Sequence, residues 1–319
     1  MADATPFVSL PGDASTGVAA DVPAPLRIGP RTFIWGIQTY LMGIINVTTD
    51  SFSGDGLLAG SEPGARTGSG EKDEPFVAAA VAQGQRMAAE GADLLDVGGE
   101  SSRPGHPVVD EAEELRRAIP VVRALRTVLP DMPLSIDTVK PAVAEAALAA
   151  GADMINDVWG VGPSGEGIAR VAAAHGVPLI VMHNRREARY ANVVSEVLAD
   201  LERALERATA LGVGRESLIV DPGMGFGKTA DQNLALFHHL SLLRALGRPI
   251  LLGMSRKSTI GRVLDLPAPE RLEGTLATTA LGVRSGVDIV RVHDVEPNRR
   301  VARMSDAIVR QPLASAADR

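Results

Sequence analysis

The chain has 319 residues, no cysteine and a formal net charge of −7. The missing thiols exclude disulfides, thiolate zinc, iron–sulfur ligation and a cysteine nucleophile. The negative balance supplies no global basic field to recruit nucleic acid or an anionic membrane, so an anionic ligand must be met by local cations.

Hydrophobic residues make up 45% and aromatics 3%, so the core is expected to be built from Leu, Val, Ile, Ala and Met. Residues 1–25 lack a basic start and a long apolar run, and no stretch is long enough to span a bilayer. A cytoplasmic location without membrane partners is expected. Residues 1–25 and 311–319 read as disordered tails around one domain at 26–310.

In chain order, LRIGPRTFIWGIQ (26–38) reads as a short hairpin that plugs a barrel floor. The apolar run Tyr40–Ile45 then stops at Asn46. A long Gly-, Ser- and Thr-rich loop runs from Val47 to about Glu74, a length that marks lids or disorder. A helix is predicted from about Pro75 to Glu90, before Leu94–Leu95 and Asp96. The second helix covers about Asp110 to Val128, before Leu134–Ile136 and Asp137. Pro141 opens the next helix, and Met154–Ile155 ends at Asn156. Pro178–Met182 leads to His183, and an amphipathic helix covers about Ala191 to Ala210. Leu218–Val220 leads to Asp221, Ile250–Met254 to Ser255 and Lys257, and Ile289–Val290 to Arg291 and His293. GAD before two of these strands and GVD before the last signal a glycine helix stop followed at once by a strand. Strand, polar tip and helix, repeated eight times, predict an α/β TIM barrel, (β/α)8, with its chemistry at one mouth.

Four polar tips, Asp96, Asp137, Asn156 and Asp221, cost several kcal/mol if buried unpaired. Asp96 is the candidate for a core residue holding a loop. Three acceptors or mixed groups around one pocket suit a flat heterocycle with an amino group and a ring N–H, such as guanine or pterin. DPGMGFGKT is not a phosphate loop, because Pro222 stands where that motif needs glycine. Its three alternating glycines bend the chain beside Asp221 and present Phe226. SRKST places Ser255, Arg256, Lys257 and Ser258 at a helix start, where free N–H groups bind anions; the plainer reading is a serine N-cap with solvated cations. Lysine occurs only at 72, 140, 228 and 257, which favours a role for Lys257. RVHD puts Arg291 and His293 on one side of a strand, an arrangement suited to phosphate. His183 is left unassigned.

The ordered motifs MGIINVTTDSFS, DVGGESSRPG, SIDTVKP, GADMINDVWG, VMHN, DPGMGFGKT, GMSRKSTIG and VRVHDV resemble the dihydropteroate synthase family from about Tyr40 to Val295. The resemblance implies condensation of 6-hydroxymethyl-7,8-dihydropterin diphosphate with 4-aminobenzoate by an SN1-like displacement, in folate biosynthesis. It implies Asp137, Lys257, Arg291 and His293 as catalytic, and Asp137, Asn156, Met182, Asp221 and Lys257 around the pterin. Asn46, Ser102, Arg291 and His293 would face diphosphate, with Mg²⁺ as cofactor near Asn46. Arg103, Pro104, Phe226, Lys257 and Ser258 would hold aminobenzoate, and the loop with Asp50 and Phe52 would close over the reactants. It also implies competition by sulfonamides and a homodimer.

The chain departs from the family at TTDSFSGDG, where Thr49 replaces a proline and the second acid falls at Asp55. The stretch 58–74 is an apparent insertion, and MHNRREARY differs after the fifth strand. Three rivals share parts of this pattern. A pterin-dependent methyltransferase domain has no diphosphate to bind, against SSRPG, SRKS and RVHD. A non-catalytic pterin-binding homologue is motivated only by the altered lid. A sugar-phosphate aldolase needs a Schiff-base lysine within a strand, whereas Lys257 lies beyond one.

Overall fold

Each of the eight apolar runs contains a strand, and all eight strands are parallel. The computed structural model describes residues 22–48, 75–100, 109–160 and 166–310. Asp50, Phe52, Asp55, Ser102, Arg103, Pro104, the 58–74 insertion and both predicted tails (apart from residues 22–25) lie outside these residues.

A hairpin of β1 (Leu26–Ile28) and β2 (Arg31–Phe33) precedes the barrel. The barrel strands are β3 (Tyr40–Asn46), β4 (Leu94–Gly98), β5 (Leu134–Asp137), β6 (Met154–Asp157), β7 (Leu179–Met182), β8 (Leu218–Asp221), β9 (Leu251–Leu252) and β10 (Ile289–Val292). They pair in the order β8-β7-β6-β5-β4-β3-β10-β9. A Val220–Ile250 bridge between β8 and the residue before β9 closes the ring.

The helices are α1 (Pro75–Glu90), α2 (Glu111–Val128), α3 (Pro141–Ala150), α4 (Glu166–His175), α5 (Val193–Ala210), α6 (Ala230–His238), α7 (Ser258–Leu264), α8 (Leu272–Arg284) and α9 (Val295–Val309). Local signals set their ends. Asp110 caps α2, accepting from the Glu113 N–H at 2.8 Å. Thr229 and Gln232 form a capping box on α6. Gly151 stops α3 at φ 112°, a left-handed conformation that glycine takes without a Cβ penalty.

Side-chain alternation divides each strand's residues between two cores. Outward residues such as Leu95, Ile136, Ile155 and Val220 pack with the helices in the main core. Inward residues at the N-terminal ends, including Met42, Leu94, Met154, Ile180, Ile219, Leu251 and Ile289, form a separate apolar floor. The hairpin seals that floor from below with Leu26, Ile28, Phe33 and Trp35, as its sequence predicts. Phe33, Trp35 and Tyr40 form an aromatic triad with centroids 4.6–5.8 Å apart.

Candidate active site

Two residues beyond four of these floor residues, the same inward face becomes polar. Leu94 is followed by Asp96, Met154 by Asn156, Ile219 by Asp221 and Ile289 by Arg291. Register aligns the next layer: Asn46 pairs with Gly98, Gly98 with Asp137, Asp137 with Asn156, and Met182 with Asp221. Period-2 alternation thus carries residues from seven strands into one mouth.

Arg291 crosses the barrel. Its Nε donates to Asp96 Oδ2 at 2.6 Å and its Nη2 to Asp137 Oδ2 at 3.0 Å. Asn156 Nδ2 donates to the same Asp96 oxygen at 3.1 Å. Asp96 is completely buried. It therefore holds not a loop, as expected from sequence, but two side chains of the site. Burial opposes the Arg291 charge, yet Asp96 and Asp137 outweigh it and hold its pKa above the ordinary arginine value. Burial pushes Asp137 up to about 8 against the pull of Arg291, and the nearby charges of Asp96, Glu114 and Asp157 add to the rise.

Across the cavity, burial raises Asp221, and Lys257 offsets part of that rise. Lys257 is held down to about 8 by burial, opposed chiefly by Asp221. Its Nζ donates to the Met224 carbonyl at 2.5 Å and lies 4.5 Å from the Phe226 ring centroid, a cation–π distance. Met182, Val158 and Phe226 form a small apolar wall with Val139 against it. Ser258 is exposed at the first turn of α7, and the N-cap is Lys257 rather than a serine. Ser255 instead lies 2.9 Å from His293 Nδ1 and accepts the His293 backbone N–H at 3.2 Å. Arg256 turns away at φ 56° and pairs with Asp294. Asn46 stands half-buried at the end of β3.

Sequence reasoning missed a brace behind the glycine loop. Lys228 Nζ donates to the carbonyls of Gly223 (2.9 Å) and Phe226 (3.1 Å) and lies 2.9 Å from His183 Nδ1. The other face of His183 meets Asp200 of α5 at 3.1 Å. Burial, aided by Lys228, pushes His183 down to about 4, and burial pushes Lys228 down to about 7. The rarity of lysine was the available signal for Lys228. Ser255 was read from sequence as part of the anion-binding helix start, not as the partner of His293, and nothing local marked Asp200.

The floor of the cavity offers carboxylates and an amide, one wall is apolar, and Lys257, Arg291 and His293 bring positive or donor groups. This set can seat a flat, donor-rich heterocycle beside an anion, and it contains no preactivated nucleophile. Among the described residues, no three His, Cys, Asp or Glu side chains are grouped to hold a metal ion, and no helix is long and apolar enough to cross a membrane.

The family model described as pterin binding enzyme matches residues 42–293. A dihydropteroate synthase of Clostridium beijerinckii is 45% identical over 287 residues, covering 90% of this chain and 100% of its own. The structure of a dihydropteroate synthase from "Colstridium difficile" with pteroic acid is 46% identical with a TM-score of 0.78, covering 88% of this chain and 100% of that one. A Xanthomonas albilineans dihydropteroate synthase with 4-aminobenzoic acid gives 39% identity and a TM-score of 0.79, with 91% and 100% coverage.

Proposed function

Because the chain belongs to the pterin-binding enzyme family, and within it to the dihydropteroate synthases, we propose how its own residues carry out that reaction. The enzyme joins the amine of 4-aminobenzoate to the methylene carbon of 6-hydroxymethyl-7,8-dihydropterin diphosphate, giving 7,8-dihydropteroate and diphosphate.

Asp137, Asn156 and Asp221 accept from, or donate to, the pterin edge, with Lys257 above Asp221 and Met182 and Phe226 at the ring faces. The convergence of these groups with Arg291 in one cavity carries the reading. Arg291 and His293 take diphosphate oxygens, with Ser102 and Asn46. The methylene–oxygen bond breaks first, and its electron pair leaves on diphosphate. The resulting cation is conjugated with the ring and stabilised by the Asp137 carboxylate. The aniline lone pair then forms the C–N bond, and its proton passes to solvent. Ser258 and the first turn of α7 take the aminobenzoate carboxylate. Arg103 and Pro104 wall the slot together with Phe226 and the Lys257 stem, and Asp50 and Phe52 close over it.

The donor set fits Mg²⁺ carried on the diphosphate rather than held by protein alone. Asn46 offers one amide oxygen at the rim, while a magnesium ion takes most of its six oxygens from phosphates and water. When bound, the ion neutralises charge on the leaving group.

Sulfonamides, as aminobenzoate mimics, compete for the same slot. A homodimer through α7, α8 and α9 is supported by exposed Val263, Leu281, Met304 and Ile308 on these neighbouring helices. The chain acts in the cytoplasm, where no membrane partner is required.

Purified protein with both substrates and Mg²⁺ is expected to yield dihydropteroate. Asp137→Ala is expected to lower kcat by about 10²–10³-fold with an unchanged circular dichroism spectrum. Full activity in that variant sinks the role given to Asp137. Methyl transfer from methyltetrahydrofolate, without dihydropteroate formation, would favour the methyltransferase instead.

A further inference from the structure

We infer that Asp96 is a positioning residue that fixes the amide orientation of Asn156 and the guanidinium of Arg291, and so sets which ring donors the pterin floor accepts. The inference rests on the pterin-floor reading above.

Asp96 lies on the inward face of β4, between the apolar floor at Leu94 and the ligand layer at Gly98. One carboxylate oxygen, Oδ2, serves two neighbours on different strands: Asn156 Nδ2 at 3.1 Å from β6 and Arg291 Nε at 2.6 Å from β10. An amide can be turned either way in a pocket, presenting its oxygen or its NH2. Here the choice is forced. The reversed amide would set its oxygen against the Asp96 oxygen, two acceptors with no proton between them. The NH2 therefore stays on Asp96, and the Asn156 carbonyl oxygen is left for the ligand. The floor then offers an acceptor at Asn156, between the acceptors Asp137 and Asp221, and it matches a ring edge made of donors.

The same oxygen settles Arg291. With Nε held by Asp96 and Nη2 by Asp137, the guanidinium plane is fixed across two strands before any substrate arrives. Asp96 also adds a like charge near Asp137, which favours the protonated form of that carboxyl. Removing the Asp96 charge lowers the pH at which Asp137 becomes an acceptor, and Arg291, released from Asp96, acts in the same direction.

The test uses the full chain, with 6-hydroxymethylpterin as a probe that lacks diphosphate. Binding to wild type, Asp96→Ala, Asn156→Ala and the double variant is measured by calorimetry, and thermal unfolding is followed in parallel. Asp96→Ala is expected to weaken the probe about tenfold, while the aminobenzoate KM stays within about twofold. In the Asn156→Ala background the Asp96 effect is expected to shrink, because the two act through one contact. Asp96→Asn keeps an oxygen for both bonds. It is expected to restore affinity to within about threefold and to move the pH midpoint of probe binding downward.

Wild-type probe affinity in folded Asp96→Ala, or full additivity with Asn156→Ala, would overturn the inference. If Asp96→Ala does not fold, Asp96→Ser decides, because its shorter hydroxyl cannot reach both Asn156 and Arg291, and wild-type probe affinity there rejects the proposal. Asn156→Ala that binds the probe normally would refute the pterin-floor reading itself, a result distinct from failure at Asp96 alone.

Discussion

Single side chains in this site are set by burial against charge. Asp137 and Lys257 sit on facing sides of one cavity, one pushed up to about 8 and the other down to about 8. In the proposed binding mode the ring needs an ionised Asp137 and a cationic Lys257. The kcat/KM for the dihydropterin substrate is therefore expected to rise as Asp137 loses its proton and to fall as Lys257 loses its own, a narrow bell near pH 8. Lys257→Arg keeps a charge that does not titrate in this range. Its kcat is expected to be lower, and its alkaline limb absent from a profile taken between pH 6 and 10. An alkaline limb that stays in place would move the assignment away from Lys257. At this scale the sequence named Asp137, Asn156, Asp221, Lys257, Arg291 and His293 from their places after apolar runs. It did not distinguish the role of Asp96, because a buried acid is defined by its partners, and those stand 60 and 195 positions along the chain.

The glycine loop after β8 shows how an element is held from behind. A Cβ on Gly223 (φ 65°) would stand 1.8 Å from the His183 carbonyl oxygen, so only glycine fits between β7 and β8. Gly223→Ala is expected to cost at least ~1–3 kcal/mol in denaturant unfolding and to raise the aminobenzoate KM as Phe226 shifts. An unchanged KM would separate Phe226 from the slot. Behind the loop, Lys228, His183 and Asp200 tie β7, the loop and α5 together. His183 titrates at 6.5 in the unfolded chain and at about 4 when buried, so between these values the unfolded state binds more protons. Its contribution to stability is complete above 6.5 and is lost as pH falls towards 4. His183→Asn is expected to flatten the stability curve across that window, as read from urea midpoints at pH 4 to 7. Element type and order were legible from periodicity. Only the fold joined these three distant segments into one brace.

The whole molecule separates an apolar floor from a polar mouth within one barrel. The floor and its hairpin plug lie at the end of the strands opposite the chemistry. Trp35→Ala is expected to cost ~3–5 kcal/mol in unfolding free energy while leaving kcat within about twofold at temperatures where the protein remains folded. A large loss of kcat there would mean that the floor and mouth are coupled. The assembly proposed through α7, α8 and α9 predicts a dimer in sedimentation that Leu281→Arg converts to monomer. The sequence by itself determined the barrel, the inward face of each strand and the residue types around the mouth. Alternation and helix-stop signals are local, and a chain carries them before it folds. Only the tertiary structure decided that Arg291 spans to Asp96 and Asp137, that Ser255 serves His293, and that Lys228 braces the loop. Which charges meet in a buried cavity depends on barrel closure, and closure brings together residues whose separation along the chain carries no mark of the contact.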